Sequence, residues 1–120
     1  MIRDYSKKYS YLSKTMNTLG MRIPETINGF TELHKASNNE GVLSSKTKEL
    51  IVLGIDITVR CEGCIAFHVQ DSLQAGPNSQ EIMETIGVTL IMDGSPSGAY
   101  GCKAKEALDQ FKALEKNLQE

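Results

Sequence analysis

The chain has 120 residues, with 13 Lys+Arg against 15 Asp+Glu for a net charge of −2, and is 40% hydrophobic with no tryptophan and only 6% aromatic residues. That describes one domain over residues 1–120 with an aliphatic core, small enough for association with further copies to help it. It excludes a nucleic-acid-binding module, which needs clustered Lys and Arg where the bases here are interspersed with acids, and a bilayer-spanning segment, which needs about 20 consecutive apolar residues.

Tyr5, Tyr9, Leu12, Met16 and Leu19 recur at alternating steps of four and three, while Lys7, Lys8 and Lys14 fall elsewhere. This predicts an amphipathic first helix over residues 4–20, stopped by Gly20. Pro24 suits the first turn of a second helix, with Glu25 at its positive end and Ile27, Phe30 and Leu33 along one face; residues 38–41, Asn-Asn-Glu-Gly, close it. Over residues 44–60 the β-branched Ile51, Val52, Ile55, Ile57, Thr58 and Val59 favour a strand by local propensity. The N-cap serines Ser44 and Ser45, the helical spacing of Leu50, Leu53 and Ile57, and the length of the run predict a buried helix instead.

A fourth helix is expected over residues 62–75, stopped by Gly76-Pro77, and a fifth over residues 79–93, with Glu81 in its first turn and Gly94 beyond its end. The fifth is apolar around most of its circumference, so it needs cover on several sides, part of it from a neighbouring subunit. Ser95, Pro96, Ser97 and Gly98 read as a loop. The last helix carries the stripe Ala104, Ala107, Leu108, Phe111, Leu114 and Leu118, ringed by Lys105, Glu106, Asp109, Lys112, Glu115 and Lys116. The fold class is all-α, a single bundle of about six helices. Charges at Arg3 and Asp4 stand where a secretory leader would have its apolar stretch, and three cysteines make a poor disulfide scaffold, so a reducing, cytoplasmic setting is expected.

The chemistry centres on Cys61-Glu62-Gly63-Cys64 with His68 four residues further on. At 100° per residue Cys61, Cys64 and His68 fall within an arc of about 60° on one helix face. The helix N-terminus favours thiolate over thiol, and a nearby imidazole can take the thiol proton, which suits an activated nucleophile with a second cysteine ready to resolve it. Glu49 is a carboxylate on an otherwise Leu-, Ile- and Val-rich helix. In an antiparallel hairpin turning near Arg60 it lies about 15 Å back, nearer the level of His68 than of Cys61, which orders the groups Glu49, His68, Cys64. Its alternative is a solvated acid paired with Lys46 or Lys48.

Glu49, the apolar run after it, Cys61-x-x-Cys64 and His68 together resemble the signature of the AhpD-like/carboxymuconolactone decarboxylase superfamily of small all-α proteins, and the resemblance covers about residues 20–115. It implies a homo-oligomer, trimer or hexamer. In the alkylhydroperoxidase branch it also implies a peroxidatic Cys64, a resolving Cys61, a proton relay completed by Glu49 and His68, a small hydroperoxide substrate, an external dithiol reductant and no cofactor. The best-known peroxidase members carry a histidine just before the second cysteine, where this chain has Gly63. The decarboxylase branch keeps the fold without needing a thiol pair, so a lyase acting on a small carboxylated lactone is the alternative. A zinc-stabilised structural oligomer stands third, with Cys61, Cys64 and His68 as ligands and Cys102 or His34 as the fourth. Covalent haem would need histidine where Ile65 stands. Cys102 is expected to be a small buried hydrophobe, Met83 and Met92 core fillers, and His34 a surface or interface residue.

Overall fold

A computed structural model of the chain describes residues 3–119, the side chains of Ala75, Leu118 and Gln119 excepted. Met1 and Ile2, at the start of the segment read as lacking a leader, and the Leu118 end of the last stripe lie outside the described residues. Helix α1 (Tyr5–Arg22) starts where the Asp4 side chain accepts the Lys7 N–H at 3.0 Å. It passes through Gly20, the expected stop, and ends at Ile23. The residue before a proline is biased away from helical backbone, so Pro24 ends α1 while opening the first turn of α2 (Pro24–Asn38). Helix α3 (Ser45–Thr58) is capped by Ser44, which accepts the Thr47 N–H at 3.0 Å. Its β-branched run is helical because Leu53 and Ile57 bury completely, and that burial outweighs a propensity difference of a few tenths of a kcal/mol per residue.

Helix α4 (Glu62–Ala75) takes its N-cap from Cys61, and α5 (Ser79–Asp93) opens with a reciprocal capping box between Asn78 and Glu81. Residues 95–98 are helix, not loop: α6 spans Ser95–Gln119. The break from α5 is the single residue Gly94, with φ 64°, after which Pro96 suits a first turn and buried Ser97 donates to Asp93 Oδ2 at 2.9 Å.

The core joins Leu53 and Ile57 of α3, Ile65, Ala66 and Val69 of α4, Ile82 of α5, and Ala104, Ala107, Leu108 and Phe111 of α6. Helix α1 lies across α4 and α6, anchored by fully buried Tyr5, whose N–H donates to Gln110 Oε1 at 2.8 Å, and by Tyr9 against Phe67 and Phe111. Helix α2 packs on α1 and α3 and buries no residue fully. Its expected face is open, with Phe30 and Leu33 exposed, as are Met16 and Leu19 of α1 and Leu114 of α6.

Two expected core fillers sit elsewhere. Cys102 is exposed, because the inward face of α6 runs through Ser97, Gly101 and Ala104, where Gly101 meets Ile86 so closely that an added Cβ would lie 2.5 Å from it. Met92 is 82% exposed on the open side of α5, whereas Met83 does pack against the core. Among the described residues no helix is long and apolar enough to cross a membrane.

Candidate active site

The α3–α4 connection shapes the site. After Thr58, Arg60 takes left-handed backbone (φ 59°) and is held by an ion pair in which its Nη2 donates to both carboxylate oxygens of Asp93 at 2.9 Å, while the Cys61 N–H donates to Asp56 O at 3.1 Å. The chain thus reverses within a few residues and Cys61 lands at the N-cap of α4. Its Sγ accepts the Cys64 N–H at 3.3 Å, and the two cysteines are joined as a disulfide with their Cα atoms 5.2 Å apart. Both are half-buried. Glu62, in the first turn, is tied to α1 and α6 by ion pairs with Arg3 at 2.9 Å, Lys8 at 3.5 Å and Lys103 at 3.6 Å.

Gly63, between the cysteines, faces Leu12 of α1, and a Cβ added there would lie 3.0 Å from Leu12 Cδ1. A side chain at this position therefore requires α1 or Leu12 to shift. An open groove of about 600 Å³ leads to Gly63, walled by Arg3, Lys7 and Lys8, by the acid Asp4, and by Tyr11 and Leu12.

His68 lies four residues beyond Cys64, one turn along the same face of α4. Its Nδ1 is hydrogen-bonded to Asp56 Oδ2, a carboxylate that is itself buried. Burial disfavours the imidazolium, but the hydrogen bond and charge of Asp56, with smaller contributions from Glu49 and Asp71, outweigh it and raise the His68 pKa above its usual 6.5. Nδ1–H donation to Asp56 fixes the tautomer that leaves Nε2 as a base.

Asp56 did not figure among the candidates read from sequence. Its signal is there: it is the one charged residue within residues 51–59, and a charge inside a buried apolar run needs a partner. Glu49, the acid that was singled out, is buried, accepts a hydrogen bond from Asn38 Nδ2 at 2.6 Å through Oε1, and keeps Oε2 buried without a hydrogen-bond partner among the described residues. It stands seven residues before Asp56, about 10 Å along α3, so Asp56 is the acid level with His68. Among the described residues no three His, Cys, Asp or Glu side chains converge as a metal site, and Cys102 and His34 are both exposed.

The sequence model of the Carboxymuconolactone decarboxylase family matches residues 24–107, a stretch that runs from α2 into α6 and contains Glu49, Asp56, Cys61, Cys64 and His68. The chain belongs to this family. Two crystal structures of family members have the same fold. A carboxymuconolactone decarboxylase family protein from Legionella pneumophila, in its apo form, superposes with a TM-score of 0.87 at 33% identity over 89% of this chain and 96% of that one. A member from Thermotoga maritima, described as having a suggested part in an antioxidative response, superposes at 0.81 with 28% identity over 94% and 97%. An uncharacterized protein of Haemophilus influenzae is 29% identical over 94% of this chain and 100% of its own length. The carboxymuconolactone decarboxylase family, AhpD-like proteins included, thus accounts for the all-α fold of six helices among the described residues.

Proposed function

We propose that the protein is a thiol-dependent hydroperoxide reductase of the AhpD-like kind, cycling through the Cys61–Cys64 disulfide. The observation that carries this reading is the pairing of a C-x-x-C at a helix N-terminus with a histidine one turn on that is held by a buried carboxylate. In the reduced protein His68 takes the Cys64 proton; the thiolate attacks the peroxide oxygen, giving Cys64 sulfenic acid and an alkoxide that leaves with the proton from His68. Cys61 thiol then displaces water from the sulfenic acid, forming the disulfide. An external dithiol restores both thiols, and Cys61 is suited to depart as thiolate because its sulfur already accepts a helix N–H at the positive end of α4. Asp56 orients His68, with Glu49 further along the same helix as the second acid of the relay. The cycle suits a cytoplasmic setting and needs no cofactor. The suggested antioxidative part of the Thermotoga relative fits it.

A homo-oligomer, trimer or hexamer, is part of the proposal. Ile51 and Ile55 of α3 and Val88 and Met92 of α5 are exposed along a groove of about 410 Å³ between these helices, with exposed Val59 just past the end of α3 and exposed Ile91 on α5, an apolar face of the kind that marks association. Peroxide added to reduced protein should remove two free thiols per chain and consume peroxide with an added dithiol; Cys64→Ser should abolish both. An unchanged thiol count would overturn the reading. Turnover of a small carboxylated lactone surviving Cys64→Ser would establish the lyase in its place.

A further inference from the structure

Glu62 stands between the two cysteines and takes no part in the cycle above. It is the first residue of α4, next to the N-cap Cys61, and its side chain is only 18% exposed. Three cations close on it. Arg3, just before α1, lies 2.9 Å from Oε1, Lys8 of α1 lies 3.5 Å from the same oxygen, and Lys103 of α6 lies 3.6 Å from Oε2. The segment carrying Arg3 is itself tied to α6, because Gln110 accepts the Tyr5 N–H at 2.8 Å and donates through Nε2 to Arg3 O. The first turn of α4, the start of α1 and the side of α6 thus meet at one carboxylate.

We propose that Glu62 is a positioning residue for the redox pair: by seating the first turn of α4 against α1 and α6 it favours the Cys61–Cys64 disulfide over the dithiol, and reduction in turn loosens the start of α1. This deepens the disulfide cycle proposed above and rests on the pair being redox-active.

The coupling follows from two constraints acting on one turn. The disulfide closes residues 61–64 covalently. Without that bond the turn is left with the Cys64 N–H on Cys61 Sγ, the Cys61 N–H on Asp56 O, and the ion pairs of Glu62. A turn already ordered by one constraint loses less freedom to the second, so each strengthens the other, and the effect is reciprocal. Charge acts here as well: the Glu62 carboxylate opposes a thiolate at Cys61, whereas the three cations favour one. The two effects part when a cation is removed. Losing the seat eases reduction, whereas losing positive charge alone stabilises the disulfide.

The test is a redox titration of the full-length chain in mixtures of reduced and oxidised dithiothreitol. Each turnover moves two electrons and two protons from the reagent to the protein, giving free Cys61 and Cys64 and oxidised dithiothreitol. Alkylation and mass spectrometry of the peptide holding both cysteines read the equilibrium, and NMR follows exchange of the Tyr5 N–H in both redox states. Glu62→Gln should shift the equilibrium about tenfold toward the dithiol, a rise of about 30 mV in potential. Arg3→Gln and Lys103→Gln should shift it the same way by smaller factors. Lys7, exposed in the same groove and bound to no acid among the described residues, is the control, and Lys7→Gln should leave the equilibrium unmoved. The Tyr5 N–H should exchange faster in reduced than in oxidised wild type, with the difference smaller in Glu62→Gln. Circular dichroism confirms that each variant is folded. A shift toward the disulfide in Arg3→Gln and Lys103→Gln would show that charge alone acts and would overturn the proposal. So would an equilibrium indifferent to Glu62→Gln, a Lys7→Gln shift equal to that of Arg3→Gln, or Tyr5 exchange that ignores redox state. The titration contains no peroxide, so the two readings fail separately. A pair that dithiothreitol cycles but peroxide leaves reduced ends the hydroperoxide reading and keeps the role of Glu62; a pair that peroxide oxidises but Glu62→Gln does not shift ends the role of Glu62 alone.

Discussion

The two sides of α3 contrast in a way ordinary surface helices do not. Its inward side carries Glu49 and Asp56, both buried, along with Leu53 and Ile57, while its outward side carries Ile51, Ile55 and Val59, all about half exposed or more. An amphipathic helix normally buries its aliphatic residues and leaves acids in water. Here two carboxylates lie inside and three β-branched hydrophobes outside. The inward acids meet specific partners, Asn38 and His68, whereas the outward isoleucines line the groove beside α5. The inner side thus serves the site, and the outer side presents the surface where a second copy is proposed to dock. Substitutions on the two sides should have effects of different kinds.

The largest effect is expected from Leu53→Ala, which empties a fully buried position among the α4, α5 and α6 core residues. A loss of about 2–5 kcal/mol is the usual range for such a change. Chemical denaturation should show it, and a loss under 1 kcal/mol would mean that the inward side is loosely packed.

Asp56→Asn is expected to cost less, about 1–3 kcal/mol, since the shape is kept and a hydrogen bond to His68 survives without its charge. The pH dependence carries the sign. A histidine whose folded pKa is raised contributes stability that is fully present below its unfolded value, about 6.5, and is lost as pH rises through the folded value. Asp56→Asn should therefore lower the His68 pKa and destabilise more at mildly acid pH than at pH 8. Equal losses at both would show that Asp56 contributes packing but no charge.

The site is half legible in the sequence. Helix ends marked by Ser44, by Glu81 and by Gly76 can be read because their mechanism is local, and so can the placing of Cys61, Cys64 and His68 on one face. Asp56 cannot be assigned that way, since whether an aspartate in an apolar helix faces water or a histidine twelve residues later depends on how two helices pair. The same register explains Glu49: measured from the turn it lies further back than His68 lies forward, about two turns beyond the level that Asp56 occupies. Residues 95–98 were legible only as punctuation. Gly94 alone makes the break, and Ser97 faces inward because its hydroxyl reaches Asp93. The exposure of Cys102 follows from close contact between Gly101 and Ile86, which no local pattern announces.

The smallest effect on the folding of a single chain, and the most telling for the contrast, belongs to Ile55→Glu. Ile55 is 53% exposed, so a charged replacement should change protomer stability by no more than about 0.5 kcal/mol. Its consequence should appear in assembly. If copies dock on the α3–α5 face, the wild-type melting temperature rises with protein concentration, because association stabilises only the folded chain. A buried carboxylate at the centre of such a contact would cost about 2 kcal/mol, enough to weaken it roughly thirtyfold. Ile55→Glu should accordingly sediment as a smaller species than wild type at equal concentration and melt at a temperature independent of concentration, with peroxide-driven thiol loss retained in each separated chain. Sedimentation identical to wild type would place the interface elsewhere and leave the outward hydrophobes of α3 without that role. Dissociation accompanied by loss of Cys64 reactivity would mean that the two sides of α3 are not independent, and that assembly completes the site its inward acids serve.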